Sequence, residues 1–383
     1  MARRMTQSYI PLNNPTPAGR ELDYVRAAVS EGSLAGDGRF TDACHAWLEA
    51  NTATARALLT HSCTAALEMA ALLLNIAPGD EIIMPSHTFV STANAFVLRG
   101  GIPVFVDVRP DTLNIDETLI EAAITPRTRA IVAVHYAGIA CEMDTVVAIA
   151  ARHGLAVVED AAQGLGSRYK GRALGSIGDF GTFSFHETKN IVSGEGGALL
   201  VNSEADVERA EIIREKGTDR SRFFRGEVDK YTWQDVGSSY LPSEIVAAFL
   251  WAQLQDAEAI TAARRTRWYA YHAALAEMAL AGRLTCPTVP DGCDLNGHIY
   301  YVLLPSDADR GAVLSQLRDR GIGSAFHYVP LHSSPGGLRY GRVSGSTAIT
   351  DDTTARLIRL PMSTVITPQE QARVVAALGD VLG

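Results

Sequence analysis

The chain has 383 residues and a formal charge of −9, from 34 basic and 43 acidic side chains. At roughly 100–200 residues per domain, this length excludes a peptide hormone or a lone binding module and favours a large domain with a smaller one. Hydrophobic residues make up 47% of the chain and charged residues 20%, which excludes wholesale disorder because such a chain can bury a large core.

The charge pattern and the apolar segments indicate which partners and which cellular location to expect for the protein. We expect no nucleic-acid partner, because no basic block is longer than pairs such as Arg3 with Arg4. The longest apolar run, 245–252, is far shorter than the ~18 residues of a membrane span. Residues 1–9 are polar and lack the apolar segment of a secretory signal, so we expect a cytoplasmic protein. Its five cysteines have no CxxC spacing, which predicts free thiols and no metal site.

Short apolar, β-rich segments alternate with helical patterns through the first two thirds of the chain, which is typical of an α/β sheet. Segments that are apolar at every residue indicate a mostly parallel sheet covered on both faces. The predicted strands are 81–84, 103–108, 130–135, 155–159, 182–185 and 198–201, and the predicted helices include 64–74, 116–123 and 144–153.

After Pro242 the pattern changes. It predicts one long helix over 243–271, followed by a smaller α+β domain with elements at 299–304, 310–320 and 325–329. We therefore predict a large α/β domain at 10–250 and a small C-terminal α+β domain at 251–383.

In an open α/β sheet the ligand binds outside the carboxyl ends of the strands. Asp160 follows one predicted strand and Lys189 lies beyond the end of another. A lysine that can form a Schiff base, with a carboxylate facing a pyridinium nitrogen, is the minimum equipment of a pyridoxal-phosphate (PLP) enzyme. An ion pair at ~4 Å and an effective dielectric of ~20 is worth roughly 4 kcal/mol, about three pKa units, which keeps the pyridine protonated.

Each of these residues also has an ordinary structural explanation. Lys189 alone could be a surface lysine, and Asp160 alone could cap a helix. Ser62 and Thr64 lie where a helix is predicted to begin, so they could cap that helix or help its amides to bind a phosphate. Phe89 follows another strand and could stack on a cofactor ring or belong to the core.

Five segments carry a resemblance to a known family: 85–99 (PSHTFVSTANAFVLR), 106–123, 183–190 (FSFHETKN), 209–217 and 237–241. On these segments the chain resembles the DegT/DnrJ/EryC/StrS family of sugar-nucleotide aminotransferases, from about residue 10 to the carboxyl terminus. The resemblance is strongest to transaminases that form dTDP-4-amino-4,6-dideoxygalactose. It implies the aspartate aminotransferase fold, which is type I among PLP enzymes.

The resemblance also implies roles for individual residues. Lys189 would bond the cofactor and act as the catalytic base, and Asp160 would face the ring nitrogen. Gln163 would contact the phenolic oxygen, and Phe89 would stack over the ring. The residues that the resemblance assigns to cofactor binding are Cys63, Thr64, Phe89, Asp160, Gln163, Ser184, Lys189 and Ser239.

The chain departs from the family pattern at two places. Many members have glycine where this chain has Cys63, so the resemblance implies that Cys63 contributes its amide rather than its thiol. Much of the family has an asparagine at the position of Ser239, which reaches the partner subunit's phosphate, and an arginine at that of Leu241. His327 and Tyr328 lie in the segment that the family places near the sugar nucleotide, although they could instead be structural.

The implied reaction moves an amino group from L-glutamate, through the pyridoxamine form (PMP), to C4 of dTDP-4-dehydro-6-deoxy-D-glucose. The resemblance implies the galacto product and a homodimer or higher oligomer, and the aromatic segment 223–233 favours an interface. Alternatives are another keto sugar or the gluco product, a PMP-dependent sugar dehydratase, and a ligand-binding relative without catalysis. The dehydratases have histidine in place of the lysine, so Lys189 disfavours that branch.

Overall fold

The computed structural model describes residues 8–32 and 34–383, so most of the polar segment 1–9, with Arg3 and Arg4, lies outside the described residues. The helices are α1 (Glu21–Glu31), α2 (Arg39–Thr52), α3 (Cys63–Leu73), α4 (Val90–Val97), α5 (Glu117–Ala123), α6 (Met143–His153), α7 (Glu204–Arg214), α8 (Arg220–Phe224), α9 (Glu244–Gln255), α10 (Ala257–Leu280), α11 (Arg310–Asp319), α12 (Pro335–Tyr340), α13 (Ala348–Arg356) and α14 (Pro368–Leu382). The strands are β1 (Arg56–Thr60), β2 (Glu81–Pro85), β3 (Ile102–Val106), β4 (Thr128–Val134), β5 (Ala156–Asp160), β6 (Arg168–Tyr169), β7 (Arg172–Ala173), β8 (Phe180–Ser184), β9 (Gly197–Val201), β10 (Cys293–Asp294), β11 (Tyr300–Leu303), β12 (Arg342–Val343) and β13 (Leu357–Leu360).

The central feature is an eight-stranded sheet with the order β1-β9-β8-β5-β4-β2-β3-β12. Strand β9 pairs antiparallel with β1 and β8, and the other neighbours pair parallel. The six predicted strands and the mostly parallel sheet are thus confirmed. Strand β1 was not predicted, because its sequence Arg-Ala-Leu-Leu-Thr contains good helix formers and becomes a strand only through its pairing with β9.

Helices cover both faces of this sheet, as the continuous apolar strands predict. Successive strand residues point to opposite faces. In β2, Ile83 joins a buried cluster with residues of α1, α2, α6 and α9, whereas Ile82 joins a second cluster with residues of α3 and α4. The sheet therefore lies between two layers of helices, and the carboxyl ends of its parallel strands are at the same edge.

Two predicted elements beyond Pro242 are wrong. The single long helix is interrupted at Asp256, whose φ of −105° separates α9 from α10. Residues 325–329 do not form a strand; only Ala325 bridges to Arg359, because the side chains of His327 and Tyr328 turn into a cavity instead of onto a pleated surface. The predicted domain division near residue 250 stays a prediction.

In the described part of the chain, no helix combines the length and the apolar character that crossing a membrane requires.

A buried carboxylate ties β12 to the edge of the large sheet. Glu81 accepts hydrogen bonds from Arg342 (2.7 Å) and Thr125 (2.8 Å) and from Arg127, and its side chain is fully buried. The hydrogen bonds from Arg342, helped by Arg127 and Thr125, outweigh desolvation and lower the pKa of Glu81 to about 2.

Glu81→Gln is expected to lower the free energy of unfolding by about 2–3 kcal/mol at pH 7, because it removes the ionised carboxylate. Since the folded-state pKa lies below the ordinary value of 4.5, this stabilisation is complete above pH 4.5 and disappears as the pH falls towards 2. Urea unfolding between pH 7 and 3 measures the difference. Glu258→Gln, at an exposed position of α10, is the control, and a difference independent of pH would contradict the account.

Candidate active site

A cavity of about 550 Å³ lies at the carboxyl ends of the parallel strands. Its volume falls within the range that small-molecule and cofactor sites occupy. Ser239 does not line the cavity and is exposed on the surface. The predicted site residues that do line it are Cys63, Thr64, Phe89, Asp160, Gln163, Ser184, Lys189, His327 and Tyr328.

The two residues predicted to carry the chemistry come from neighbouring parallel strands. Asp160 is the last residue of β5 and pairs in register with Thr182 of β8. Lys189 lies five residues beyond the end of β8, in a turn where its backbone N–H donates to the His186 carbonyl (2.9 Å). The lysine is therefore not at the strand end itself, because the chain after Ser184 folds back before Lys189 enters the cavity.

Asp160 is held in place through both carboxylate oxygens. Thr92 Oγ1 donates to Oδ2 (2.6 Å), and the Ala162 N–H donates to Oδ1 (3.2 Å). Since Thr92 gives its proton to Asp160, Thr88 donates to Thr92 (2.7 Å) and completes a chain of hydroxyls. Sequence reasoning missed Thr88 and Thr92, although their separation of four residues around the start of α4 places them on one face.

A second buried acid lies beside Asp160. Glu159 accepts hydrogen bonds from the Gly178 N–H (2.8 Å) and the Gly175 N–H (2.9 Å) and from His135 Nε2 (2.9 Å). Desolvation alone would raise the pKa of Glu159, but the bonds from His135 and the two amides hold it below its ordinary value. His135 Nδ1 accepts the Cys141 N–H (3.2 Å), which leaves its Nε2 proton for Glu159. This pair fixes the end of β5 and was not predicted.

Two potentially nucleophilic side chains line the cavity, and burial has opposite effects on their reactivity. Desolvation lowers the pKa of the Lys189 amine, although the negative charge of Asp160 acts against this shift. A lysine in such surroundings is more readily neutral and able to attack a carbonyl. Burial raises the pKa of the Cys63 thiol to about 12, so it stays protonated and thiolate chemistry is disfavoured, as predicted.

The amino end of α3 provides a cradle for an anion. Cys63 is the first residue of this helix, and Ser62 caps it by accepting the Ala65 N–H (3.1 Å). A Cβ added to Gly197 would come within 2.4 Å of the Cys63 nitrogen, so β9 can approach the cradle only with glycine there. Free amides at a helix start suit a phosphate, and this close-packed cradle fits the phosphate of PLP.

Aromatic and amide groups form the opposite wall. Gln163 accepts the Ala137 N–H (2.7 Å) and donates through Nε2 to the Tyr328 hydroxyl (2.9 Å). His327 Nδ1 bonds the Tyr136 hydroxyl (3.1 Å), and burial lowers its pKa, so the ring is neutral. Phe89 is 57% exposed and so is not a core residue; its open ring is suited to stack on a planar cofactor.

These observations define a PLP-dependent aminotransferase of fold type I. Comparison of the chain with known proteins leads to the same class. The profile of the DegT/DnrJ/EryC1/StrS aminotransferase family matches residues 16–379, so the chain belongs to this family. The predicted family, enzyme class and fold are confirmed, and so is the sugar aminotransferase activity in its general form.

Individual relatives resemble the chain over nearly all of its length. GDP-perosamine synthase of Caulobacter vibrioides is 33% identical over 375 residues, which cover 96% of this chain and 97% of that protein. The aminotransferase TlmJ of Streptoalloteichus hindustanus has a TM-score of 0.89 at 28% identity, over 97% of this chain and 98% of TlmJ. Spr1654 of Streptococcus pneumoniae, solved in PLP and PMP forms, has a TM-score of 0.89 at 25% identity, over 98% of both chains. The predicted PLP cofactor is thus confirmed.

Proposed function

We propose that the enzyme transfers the amino group of L-glutamate to C4 of dTDP-4-dehydro-6-deoxy-D-glucose and forms dTDP-4-amino-4,6-dideoxy-D-galactose. The observation that carries the proposal is the pairing of a desolvated Lys189 with a fixed Asp160 in a cavity of about 550 Å³. The choice of sugar rests on segments 85–99 and 183–190, where the chain resembles transaminases that form this product.

Lys189 and Asp160 have the central roles in this proposal. When bound, PLP supplies an electron sink for the carbon that loses or gains a proton. Lys189 would hold the cofactor covalently, and its Nζ, once free, would take the proton from the α-carbon of the donor and, in the second half-reaction, deliver one to C4 of the sugar. Asp160, oriented by Thr92, would keep the ring nitrogen protonated.

The remaining walls orient the substrates and the cofactor. The amides at Cys63 and Thr64, with Ser184, would hold the phosphate, and Phe89 would cover one face of the ring. Gln163, whose Nε2 donates to the Tyr328 hydroxyl, would orient the phenolic oxygen. His327 and Tyr328 would contact the sugar in this proposal, and their position in the cavity wall as neutral groups supports that role.

The product's configuration depends on which face of C4 is turned towards Lys189, because one amine delivers the proton from one side only. The gluco product would require the hexose to bind with its other face towards the lysine. The similarity to GDP-perosamine synthase supports a second candidate, a GDP-linked keto sugar as the acceptor.

The test is incubation of the purified enzyme with PLP, L-glutamate and dTDP-4-dehydro-6-deoxy-D-glucose, with a GDP-linked 4-keto-6-deoxyhexose assayed in parallel. We expect amination of the dTDP sugar and small proton couplings from H4 to H3 and H5, because an axial amine leaves H4 equatorial. Large diaxial couplings would identify the gluco product. If only the GDP-linked sugar is aminated, the acceptor carries GDP instead of dTDP.

We also propose that the enzyme is a homodimer with its sites near the interface. Support comes from the aromatic segment 223–233, in which Phe224 is 65% and Trp233 is 83% exposed, because large exposed rings are typical of interfaces. Ser239, exposed and outside this chain's cavity, is then available to a partner subunit's site. Sedimentation at low concentration tests this, and a fully active monomer would contradict it.

A further inference from the structure

A buried histidine, His298, lines the active-site cavity together with Lys189. It lies between β10 and β11 and is 5% exposed. Arg264 of α10 donates to the Gly297 carbonyl (3.1 Å) and to the His298 carbonyl (2.6 Å). The backbone that carries the imidazole is therefore fixed by buried hydrogen bonds.

The hydrogen bonds around His298 determine which ring nitrogen carries the proton. Asn190 Nδ2 donates to the Asn296 carbonyl (3.1 Å), an atom that can only accept, so Asn190 turns its Oδ1 towards His298 Nδ1 (2.9 Å). Because Oδ1 also only accepts, Nδ1 must donate the proton between them. In a neutral imidazole the other nitrogen, Nε2, is then an acceptor.

The imidazole of His298 is neutral. Desolvation lowers its pKa well below the ordinary value, and the charges of Lys189 and Arg264 lower it further. Arg359 and His327, which also line the cavity, act in the same direction. In the described part of the chain, Nε2 of His298 has no hydrogen-bond partner. The cavity wall therefore offers a free hydrogen-bond acceptor.

This acceptor lies on the same side of the cavity as the reacting amine. Asn190, which holds the ring of His298, directly follows Lys189 in the chain. Among the charges that lower the pKa of His298, that of Lys189 has the largest effect, ahead of Arg264, which bonds the His298 carbonyl itself. A ligand group that bonds Nε2 must therefore lie close to the carbon that Lys189 serves.

We propose that His298 Nε2 accepts a hydrogen bond from the 3-hydroxyl of the keto sugar. The inference rests on the proposed function, in which Lys189 delivers a proton to C4. Of the two ring carbons bonded to C4, C3 carries a hydroxyl, whereas C5 carries the methyl group and the ring oxygen. The 3-hydroxyl is thus the hydrogen-bond donor next to the reacting carbon, whether the nucleotide is dTDP or GDP.

The amino donor has no group that could replace this hydroxyl. The amino group of L-glutamate is the group that is transferred, and its two carboxylates are ionised at neutral pH, so they only accept hydrogen bonds. An acceptor such as Nε2 favours neither carboxylate. We therefore expect His298 to serve the half-reaction with the sugar and not the half-reaction with glutamate.

Two variants separate the cavity-facing nitrogen of His298 from the nitrogen that bonds Asn190. In His298→Asn, the shorter amide can still donate to Asn190, but no atom replaces Nε2. In His298→Gln, the amide oxygen can replace Nε2 as the acceptor. Both are assayed with the PLP enzyme and L-glutamate alone, and with the PMP enzyme and the sugar nucleotide alone, each followed by cofactor absorbance. His153→Asn, at an exposed histidine that ends α6, is the control.

In the half-reaction with dTDP-4-dehydro-6-deoxy-D-glucose, His298→Asn should lower the ratio of maximal rate to half-saturating sugar concentration about 10-fold, because one hydrogen bond is lost. The glutamate half-reaction should change less than about twofold, His298→Gln should be intermediate, and His153→Asn should match the wild type. A dTDP-4-dehydro-3,6-dideoxyhexose lacks the 3-hydroxyl and should react about 10-fold less well with the wild type. His298→Asn should treat the two sugars alike within about twofold, because both changes remove the same bond.

Calorimetric binding of the two sugars to the PLP form, which has no amino group to transfer, gives a readout independent of turnover. The difference in affinity between them should disappear in His298→Asn, and thermal unfolding checks that this variant is folded. The comparison of the two sugars with the wild type needs no variant.

An equal loss in both half-reactions of His298→Asn would overturn the proposal, because Nε2 would then serve Lys189 itself. A wild type that binds and aminates both sugars equally well would refute the role of His298 and leave the proposed function standing. If the wild type aminates no 4-keto-6-deoxyhexose with either nucleotide, the proposed function fails, and the role of His298 fails with it.

Discussion

Lys189→Ala is expected to reduce amino transfer by roughly 10⁴-fold or more, because the variant loses both the group that bonds the cofactor and the catalytic base. Turnover with L-glutamate and the keto sugar nucleotide measures the loss. Lys170→Ala is the matched control, since Lys170 is an exposed lysine paired with Asp144. Wild-type turnover in Lys189→Ala would refute the assignment of this lysine.

The same variant should be at least as stable as the wild type. The Lys189 amine is desolvated in the cavity, so its removal takes away an unfavourable charge without opening the packed core. Functional groups are often kept at the expense of stability. Chemical denaturation of both proteins without cofactor would show this, and a large fall in the free energy of unfolding would give Lys189 a structural role instead.

Asp160→Asn is expected to lower the turnover number by roughly 100–1,000-fold, because a neutral amide no longer favours the protonated ring by about three pKa units. Asparagine has nearly the same shape, so we expect the variant to keep much of its PLP. Stopped assays and cofactor absorbance measure the two effects separately. Asp144→Asn, at an exposed carboxylate, is the control. Near-wild-type kinetics in Asp160→Asn would contradict the role of Asp160.

The sequence predicted most of the sheet and most of the proposed site for one physical reason. In a parallel sheet, functional residues follow strands, and strands buried on both faces are visible as short apolar runs. Asp160 and Ser184 end such strands, and Phe89 and Lys189 follow them within a few residues. Their meeting in one cavity then depends on topology, which the alternating pattern also predicts.

The parts that were missed depend on contacts between distant segments. Thr92 is an ordinary helix residue in the sequence and becomes a partner of Asp160 only through folding, 68 positions away. Arg359 shows only as one charge in an apolar strand, and its cavity is formed by segments far from it in the chain. The break at Asp256 and the irregular path of 325–329 are likewise set by tertiary packing, which overrides local propensity.

The central claim is that this cavity holds PLP on Lys189, and borohydride reduction of the PLP-loaded enzyme tests it most directly. Reduction makes the bond between the lysine and the cofactor permanent, and peptide mass spectrometry then locates it. The account predicts one phosphopyridoxyl group per chain, on the peptide that contains Lys189, and none in Lys189→Ala. A modification on another lysine, or none in an active enzyme, would contradict it.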